Sequence, residues 1–161
     1  MYLRSMELNG MSGHAAGRAL LQSMYRQITG RPMPPILTTG LGKPYFEDGS
    51  LYFSISHTKR RVFCALSEKP IGIDAEELDR QIDLRLAEKI LSAPEKARYD
   101  AAPDKRLALL SFWVLKEAEA KRTGKGLQGY PNKTDFTPDD PRVQIRDNCL
   151  VAIIENEQNQ P

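Results

Sequence analysis

The most regular pattern of hydrophobic and polar residues lies between residues 107 and 121. Hydrophobic side chains recur there at steps of three and four, at Leu107, Leu110, Val114 and Ala118. This spacing is typical of an amphipathic helix that buries one face against a core. The first residues that resist a helix are the glycines at 124 and 126. The pattern therefore predicts a core-facing helix that continues at least to residue 121.

Shorter patterns elsewhere predict a mixture of helices and strands. Residues 13–28 carry a second helical stripe, with Ser12 as its N-cap and Gly30 as its C-cap. Alternating or continuous hydrophobic patterns predict strands over residues 51–56, 61–66, 71–76, 143–145 and 149–154, and the last two turn near Asp147 and Asn148. Two short helices over residues 83–92 and 94–99 and a turn over residues 40–44 complete the prediction.

The order of these elements indicates the fold class. Strands and helices alternate without regular β-α-β spacing, which favours an α+β fold over a doubly wound parallel sheet. A length of 161 residues suits one domain with a sizeable core, or two small repeats packed together. Cys64 and Cys149 lie far apart in apolar contexts, so we expect two reduced core residues rather than a zinc site.

Charge and hydropathy exclude some function classes. Residues 1–72 hold nine basic and four acidic residues, whereas residues 73–161 hold fourteen basic and seventeen acidic ones, which gives +5 and −3. One half could therefore meet a polyanion while the other holds a cation. An asymmetry this mild argues against non-specific nucleic-acid binding. No apolar run is long enough to span a bilayer, and no apolar leader segment opens the chain, so we expect a cytoplasmic protein without a membrane partner.

Two acidic residues end the predicted strand over residues 71–76. A strand has a period of two, so Asp74 and Glu76 lie on one face and repel each other unless a cation lies between them. A divalent metal with oxygen ligands would serve, and Glu117 on the long helix is a candidate third ligand. Trp113, Glu117 and Lys121 recur at four-residue steps along one edge of that helix. The simpler alternatives are an acidic turn after a buried strand and a solvated Glu-Lys pair.

The first half of the chain offers two smaller features. Lys43 lies in a turn before a proline, which restricts where its ammonium can be, although such a lysine is more often an ordinary surface residue. Ser56 and His57 lie at a strand end and can hydrogen-bond a phosphate, although a histidine in such a place is more often structural. A hydrolytic triad with Asp74 is disfavoured, because adjacent strand residues point to opposite faces and no nucleophile-elbow motif is present. Neither a dinucleotide fingerprint nor a P-loop occurs.

The order of these motifs resembles the 4'-phosphopantetheinyl transferase superfamily, and within it the Sfp-type branch. The resemblance covers residues 40–127, and the motifs that carry it are Gly-Lys-Pro at 42–44, Ser-Ile-Ser-His-Thr at 54–58, Gly-Ile-Asp-Ala-Glu at 72–76, Trp-Val-Leu-Lys-Glu-Ala-Glu-Ala-Lys at 113–121 and Gly-Lys-Gly-Leu at 124–127. Members of this family move the 4'-phosphopantetheine arm of coenzyme A onto a serine of an acyl or peptidyl carrier protein and release 3',5'-ADP. The resemblance implies that coenzyme A and a carrier protein are the partners of this chain.

The resemblance also implies roles for the acidic residues and one lysine. Asp74, Glu76 and Glu117 would be ligands of Mg²⁺, and Glu117 would also act as the base for the carrier serine, directly or through a water. Lys121 would contact the diphosphate and stabilise the departing phosphate.

Three residues of the first half would hold the adenosine end of coenzyme A. These are Lys43, Ser56 and His57, with His57 near the 3'-phosphate. Two departures from the family pattern are mild: Ser54 stands where asparagine is common, and Thr58 where serine is frequent.

The resemblance further implies a monomer in which residues 1–161 form one transferase domain of two pseudo-repeated α/β subdomains, about 1–72 and 73–161, with the coenzyme in the cleft between them. Two other functions stay open at this stage. One is a family member that binds coenzyme A without transferring it, and the other is a metal-dependent phosphohydrolase that uses the same carboxylates.

Overall fold

The computed structural model describes residues 1–126 and 134–156. Its helices and strands are, in chain order, β1 (Tyr2–Glu7), α1 (Gly13–Thr29), β2 (Ile36–Thr38), β3 (Pro44–Phe46), β4 (Tyr52–His57), β5 (Arg61–Ser67), β6 (Ile71–Glu77), α2 (Ala87–Ile90), α3 (Ala93–Ala101), α4 (Lys105–Thr123), β7 (Val143–Arg146) and β8 (Cys149–Glu155). Leu127, the last residue of the final motif, lies outside the described residues. Across these ranges, none of the helices is both long and apolar enough to cross a membrane.

In the first half of the chain, a helix packs on an antiparallel sheet. The strand order is β1-β5-β4, and α1 lays its apolar face, which includes Leu21 and Met24, on this sheet. The predicted caps of α1 are confirmed. The Ser12 hydroxyl accepts a hydrogen bond from the backbone N–H of Ala15 at 3.1 Å, and Gly30 adopts the left-handed conformation with a φ of 70°.

The second half combines another three-stranded antiparallel sheet with the long helix. The strand order is β6-β8-β7, and α4 packs across β6 and β8. The predicted final hairpin is confirmed, because Asp147 and Asn148 both have positive φ values, 49° and 62°, at the turn between β7 and β8. Two consecutive residues of this kind form the tight turn that matches the twist of a hairpin.

One glycine allows α4 to approach β6 closely. A Cβ atom added to Gly72 would lie 1.9 Å from the carbonyl oxygen of Ala118 and 2.5 Å from the backbone nitrogen of Arg122. No larger residue fits there without moving the helix. The backbone of α4 therefore lies directly against β6, two residues before Asp74.

The two sheets are joined by two serine side chains of β4. The hydroxyl of Ser54 accepts the backbone N–H of Ile73, and the hydroxyl of Ser56 accepts that of Ala75, both at 3.1 Å. An apolar cluster with members from both sheets, including Phe63 and Ile73, also lies where the two sheets meet. Two backbone N–H groups of β6 thus donate to serine hydroxyls of β4 instead of to backbone carbonyls of that strand.

The α+β fold class is confirmed, as are the two free, buried cysteines at 64 and 149. Each half has a three-stranded sheet and a long helix, while the division into pseudo-repeats stays a prediction. Some boundaries were wrong. The helix predicted over residues 83–92 is a 3-10 turn, Leu84–Leu86, followed by the single turn α2, and Pro44 belongs to strand β3 rather than to a turn.

Candidate active site

Asp74 is the more buried of the two predicted site residues on β6, with 6% of its surface exposed. One carboxylate oxygen, Oδ1, accepts hydrogen bonds from the Ser56 hydroxyl at 2.9 Å and from the Lys121 ammonium at 2.7 Å. The other oxygen, Oδ2, is buried and finds no hydrogen-bond partner among the described residues. A buried carboxylate oxygen without a donor is costly, which marks this atom as a place where a cation or an additional donor would bind favourably.

Glu117 faces Asp74 from helix α4. Burial raises the pKa of Glu117 above its ordinary range, and the negative charge of Asp74 raises it further, while Lys121 and Arg80 oppose the shift. Two acids on facing elements therefore share one electrostatic environment. A cation between them would relieve both the repulsion and the cost of burial.

Glu76 is held in a different way. Its Oε1 atom accepts a hydrogen bond from the indole N–H of Trp113 at 3.3 Å and forms an ion pair with Arg80. The Arg80 guanidinium also lies 5.7 Å from the centre of the Trp113 ring. Among the described residues, no three acidic, histidine or cysteine side chains converge closely enough to hold a metal ion. The three predicted ligands are therefore on neighbouring elements without being gathered around one point.

A cleft of about 280 Å³ is bordered by one of these carboxylates, that of Glu117. Glu117 and Lys121 line it from the second half of the chain, and Lys43 and Pro44 line it from the first half. Two ammonium groups and a carboxylate therefore border one cleft, an arrangement suited to a phosphorylated ligand.

Lys43 is anchored at the end of α4. Its ammonium donates to the backbone carbonyl of Arg122, and its aliphatic chain packs against Gly124, where a Cβ would lie 2.8 Å from the Cδ of Lys43. Gly124 also has a positive φ of 72°, so the helix end and the lysine contact both require glycine. Burial lowers the pKa of Lys43, and the positive charge of Arg122 adds to the effect.

Ser56 and His57 lie on opposite faces of β4. Ser56 is buried and bonded to Asp74 and Ala75, whereas His57 is exposed at the end of the strand. The imidazole covers Gly13 at the start of α1, where a Cβ would lie 2.3 Å from the His57 Cγ. The structure thus brings Ser56, Asp74, Glu117 and Lys121 together, with Glu76 beside them and His57 apart.

Sequence reasoning missed the parts that Arg80 and Trp113 play around Glu76. Arg80 follows β6 after a turn, and nothing in the pattern of residues 77–80 indicates that the chain folds back toward the strand. The four-residue step from Trp113 to Glu117 was noticed, but the hydrogen bond from the indole to Glu76 joins residues 37 positions apart.

Comparisons with known proteins find a matching family and several relatives of this chain. The sequence model of the 4'-phosphopantetheinyl transferase superfamily matches residues 70–156, just over half of the chain. The 4'-phosphopantetheinyl transferase psf-1 of Bacillus pumilus is 34% identical over 136 residues, which cover 81% of this chain and 58% of the relative. The 4'-phosphopantetheinyl transferase gsp of Aneurinibacillus migulanus is 32% identical over 69% of this chain and 48% of its own length.

The 4'-phosphopantetheinyl transferase Sfp of Bacillus subtilis (strain 168) is 38% identical over 94 residues, 56% of this chain and 41% of its own length. The chain spans about half the length of the curated relatives it matches. The matched segment of the superfamily model includes the strand with Asp74 and the helix with Glu117 and Lys121. Taken with the site geometry, the matches show that this chain belongs to the 4'-phosphopantetheinyl transferase superfamily, in its Sfp-type branch.

Proposed function

We propose that this protein transfers the 4'-phosphopantetheine arm of coenzyme A to a serine of an acyl or peptidyl carrier protein, in a magnesium-dependent reaction that releases 3',5'-ADP. The observation that carries the proposal is the pair of facing carboxylates, Asp74 and Glu117: Asp74 accepts a hydrogen bond from Lys121, and Glu117 lines a cleft together with Lys121 and Lys43. Membership of the superfamily supports the transfer, since its relatives are named 4'-phosphopantetheinyl transferases.

The acidic residues suit Mg²⁺ by their chemistry. Magnesium prefers oxygen ligands and binds through a few carboxylates together with substrate phosphates. Asp74 offers a buried oxygen that lacks a donor among the described residues, and Glu117 is a carboxyl group whose ionised form is disfavoured by burial and by Asp74. We propose these two and Glu76 as the ligands, with Arg80 competing for Glu76. A bound magnesium ion would offset charge on the diphosphate.

The chain's own residues then supply the proton transfers. In the reaction the serine oxygen of the carrier forms a bond to the phosphorus that bears pantetheine, and the bond from this phosphorus to the bridging diphosphate oxygen breaks. We assign Glu117, or a water that it orients, as the acceptor of the serine proton, since its raised pKa favours uptake of a proton. Lys121 would stabilise the negative charge that develops on the departing phosphate.

Lys43 and His57 are proposed for the adenosine end of coenzyme A. Lys43 shares the cleft with Lys121, and the exposed imidazole of His57 is available to a 3'-phosphate. The hydrogen bonds of Ser56 favour an indirect role, in which its hydroxyl orients Asp74. We further propose that the protein acts as a monomer in the cytoplasm and that neither nucleic acid nor a membrane takes part. Size-exclusion chromatography with light scattering tests the first of these points.

The decisive experiment mixes the protein with coenzyme A, Mg²⁺ and a panel of apo carrier proteins, and weighs each carrier by intact-protein mass spectrometry. The expected result is the gain of one phosphopantetheinyl group on at least one carrier, and the loss of that gain when magnesium is chelated. Glu117→Gln should abolish the transfer and leave the protein folded, because the amide can neither accept the serine proton nor bind magnesium as a carboxylate does.

Glu119→Gln is the matched control. Glu119 lies on the same helix but pairs with Arg122 instead of lining the cleft, so transfer should persist. Near-normal turnover by Glu117→Gln would overturn the assigned role of Glu117. If no carrier gains mass, calorimetry with coenzyme A identifies a binding-only protein, and release of phosphate without any carrier identifies a phosphohydrolase.

A further inference from the structure

A buried ion pair joins α4 to α3, and neither of its residues lines the cleft. Lys116 and Glu95 are 1% and 0% exposed, and the Lys116 ammonium lies 2.7 Å from the Glu95 Oε2 atom. Nothing in the proposed reaction uses either residue. Lysine is almost never fully buried unless it is paired, so a lysine with 1% exposure is unusual.

Glu95 joins three separate parts of the chain. Its Oε2 atom also accepts the backbone N–H of Ser92 at 2.8 Å, which completes the capping box at the start of α3. Its Oε1 atom accepts the Thr134 hydroxyl at 2.9 Å and the backbone N–H of Phe136 at 3.0 Å. One carboxylate thereby fixes the start of α3, the middle of α4 and the segment that follows residue 133.

Stability alone does not account for a charged pair in this place. The Lys116 ammonium lies 5.9 Å from the ring centre of Phe136, which belongs to an apolar cluster that also includes Leu109 and Phe112. Removing two charges from water costs several kcal/mol per ion, and apolar residues of similar volume often stabilise a protein as well or better. The energy of a hydrogen-bonded charge pair depends more sharply on atom positions than the energy of an apolar contact does. Such a pair therefore fixes the relative position of the elements that it joins.

The position that the pair fixes is that of the catalytic helix. Successive residues on a helix are separated by about 100° around its axis, so a helix that holds Lys116 toward α3 directs Glu117 toward the neighbouring face. The contact of Gly72 with Ala118 sets the distance between α4 and β6. The bond from Lys116 to Glu95 sets the rotation of α4, since any rotation that displaces Glu117 also displaces the Lys116 ammonium.

We infer that Glu95 and Lys116 are a positioning pair that holds Glu117 in register with Asp74 and the cleft. The effect on kcat can be measured only if the proposed function is correct, so the inference rests on that function in this respect. The affinity for Mg²⁺ can be measured without it. The pair touches neither substrate nor metal, so its removal should lower kcat and weaken magnesium binding while the KM for the carrier protein changes little.

The test replaces both charges by apolar residues in the double variant Glu95→Leu/Lys116→Met. This variant should still unfold cooperatively, with a Tm below that of the wild type because the buried N–H groups of Ser92 and Phe136 lose their acceptor. Its kcat should fall by about 10- to 100-fold, the scale of a misplacement of about 1 Å at a reacting group. Its Kd for Mg²⁺, measured by calorimetry without coenzyme A, should rise by about 10-fold, as when an outer contact that orients metal ligands is lost.

Two further variants make the outcome decisive. Lys96→Met removes an ion pair with Asp100 on the same helix as Glu95, but on its surface, and should change neither kcat nor magnesium affinity. Glu95→Asp keeps both charges but shortens the side chain by one methylene group, which moves the carboxylate away from Lys116. This variant provides the test if the double variant does not fold. It should lower kcat in the same way, although less.

Wild-type kcat and magnesium affinity in a folded double variant would overturn the inference, and so would their retention in Glu95→Asp if only that variant folds. If the wild type itself transfers nothing to any carrier, the proposed function fails. The magnesium titrations of the same variants then decide the positioning role separately.

Discussion

At the residue scale, Glu117 shows a conflict between stability and chemistry. The carboxyl group of Glu117 is partly buried beside Asp74, and both effects raise its pKa, so its ionised form is disfavoured. Residues with a strained or destabilising environment are typical of functional sites, where the arrangement that suits the reaction differs from the most stable one. Removing the charge should therefore stabilise the protein and abolish the proposed activity.

The pH dependence of this stabilisation follows from the sign of the pKa shift. The folded protein retains a proton on Glu117 at pH values where the unfolded chain has already lost it, so wild-type stability falls as pH rises from the ordinary carboxyl range to the raised pKa. The variant Glu117→Gln has no carboxyl group at this position and should not lose stability in this pH range. Its metal-free Tm should exceed that of the wild type at pH 7 by about 2–4 °C, the scale of a change near 1 kcal/mol in a domain of this size.

Thermal unfolding of both proteins in the presence of a chelator at pH 7 and at pH 4 measures the effect. The gain should shrink at pH 4, where Glu117 is largely protonated in both states of the wild type. Glu119→Gln should show no such gain, because it removes an ion pair with Arg122. A Glu117→Gln variant that is less stable than the wild type at pH 7 would contradict the argument.

Residue by residue, sequence patterns identified the acids better than their partners. The two-residue period of a strand and the four-residue step of a helix are local, and they were enough to single out Asp74 and Glu117. The contacts of Lys116 with Glu95 and of Trp113 with Glu76 join residues 21 and 37 positions apart. Such pairs depend on how elements pack, which a single sequence does not encode in any local period.

At the element scale, the site depends on how closely one helix approaches one strand. Helix α4 was predicted from its hydrophobic stripe, and β6 from its hydrophobic run. Their separation is set by Gly72, whose missing side chain leaves room for the backbone at Ala118 and Arg122. Glycine in a strand interior usually weakens the strand, and a close approach of another backbone is one of the few reasons for it.

Gly72→Ala should therefore damage the site as well as the fold. The new Cβ would lie 1.9 Å from the carbonyl oxygen of Ala118, a backbone atom that cannot rotate away, so α4 must move outward. We expect a loss of stability of about 1–3 kcal/mol, the usual cost of overpacking, and a loss of magnesium affinity because Glu117 moves away from Asp74.

Chemical denaturation and calorimetry with Mg²⁺ measure the two effects. Gly40→Ala is the matched control, since a Cβ at Gly40 would meet no atom within 4 Å and its φ lies outside the positive range. Wild-type stability of Gly72→Ala would show that α4 does not lie as close to β6 as described.

Elements with a weak local signal were the ones that prediction missed. Strand β1 has polar residues on both faces and pairs with β5, some 60 positions away in the chain. Strands β2 and β3 are three residues each and support one another only as a hairpin. The predicted helix over residues 83–92 is broken because Ser92 caps α3, and the Glu95 side chain that completes this cap is itself held by Lys116.

At the scale of the whole molecule, the two halves of the chain meet through the hydroxyls of Ser54 and Ser56. Both serines are buried, with 6% and 5% exposure, and each satisfies one backbone N–H of β6. Only Ser56 also donates to Asp74. Ser56 therefore takes part both in joining the two halves and in the candidate metal site. The strand pattern of residues 51–56 does not reveal this second contact.

Substituting these serines one at a time should separate the two roles. Ser54→Ala and Ser56→Ala each leave a buried N–H without an acceptor, which should lower the free energy of unfolding by about 1–3 kcal/mol in both variants. Ser56→Ala also removes a donor that orients Asp74, so its Kd for Mg²⁺ should rise by about 10-fold, whereas that of Ser54→Ala should stay near the wild-type value. Denaturant titration and calorimetry measure both quantities. Equal magnesium affinities in the two variants would mean that Ser56 joins the sheets without orienting Asp74, and a direct contact with coenzyme A would then be the better account of its place in the motif.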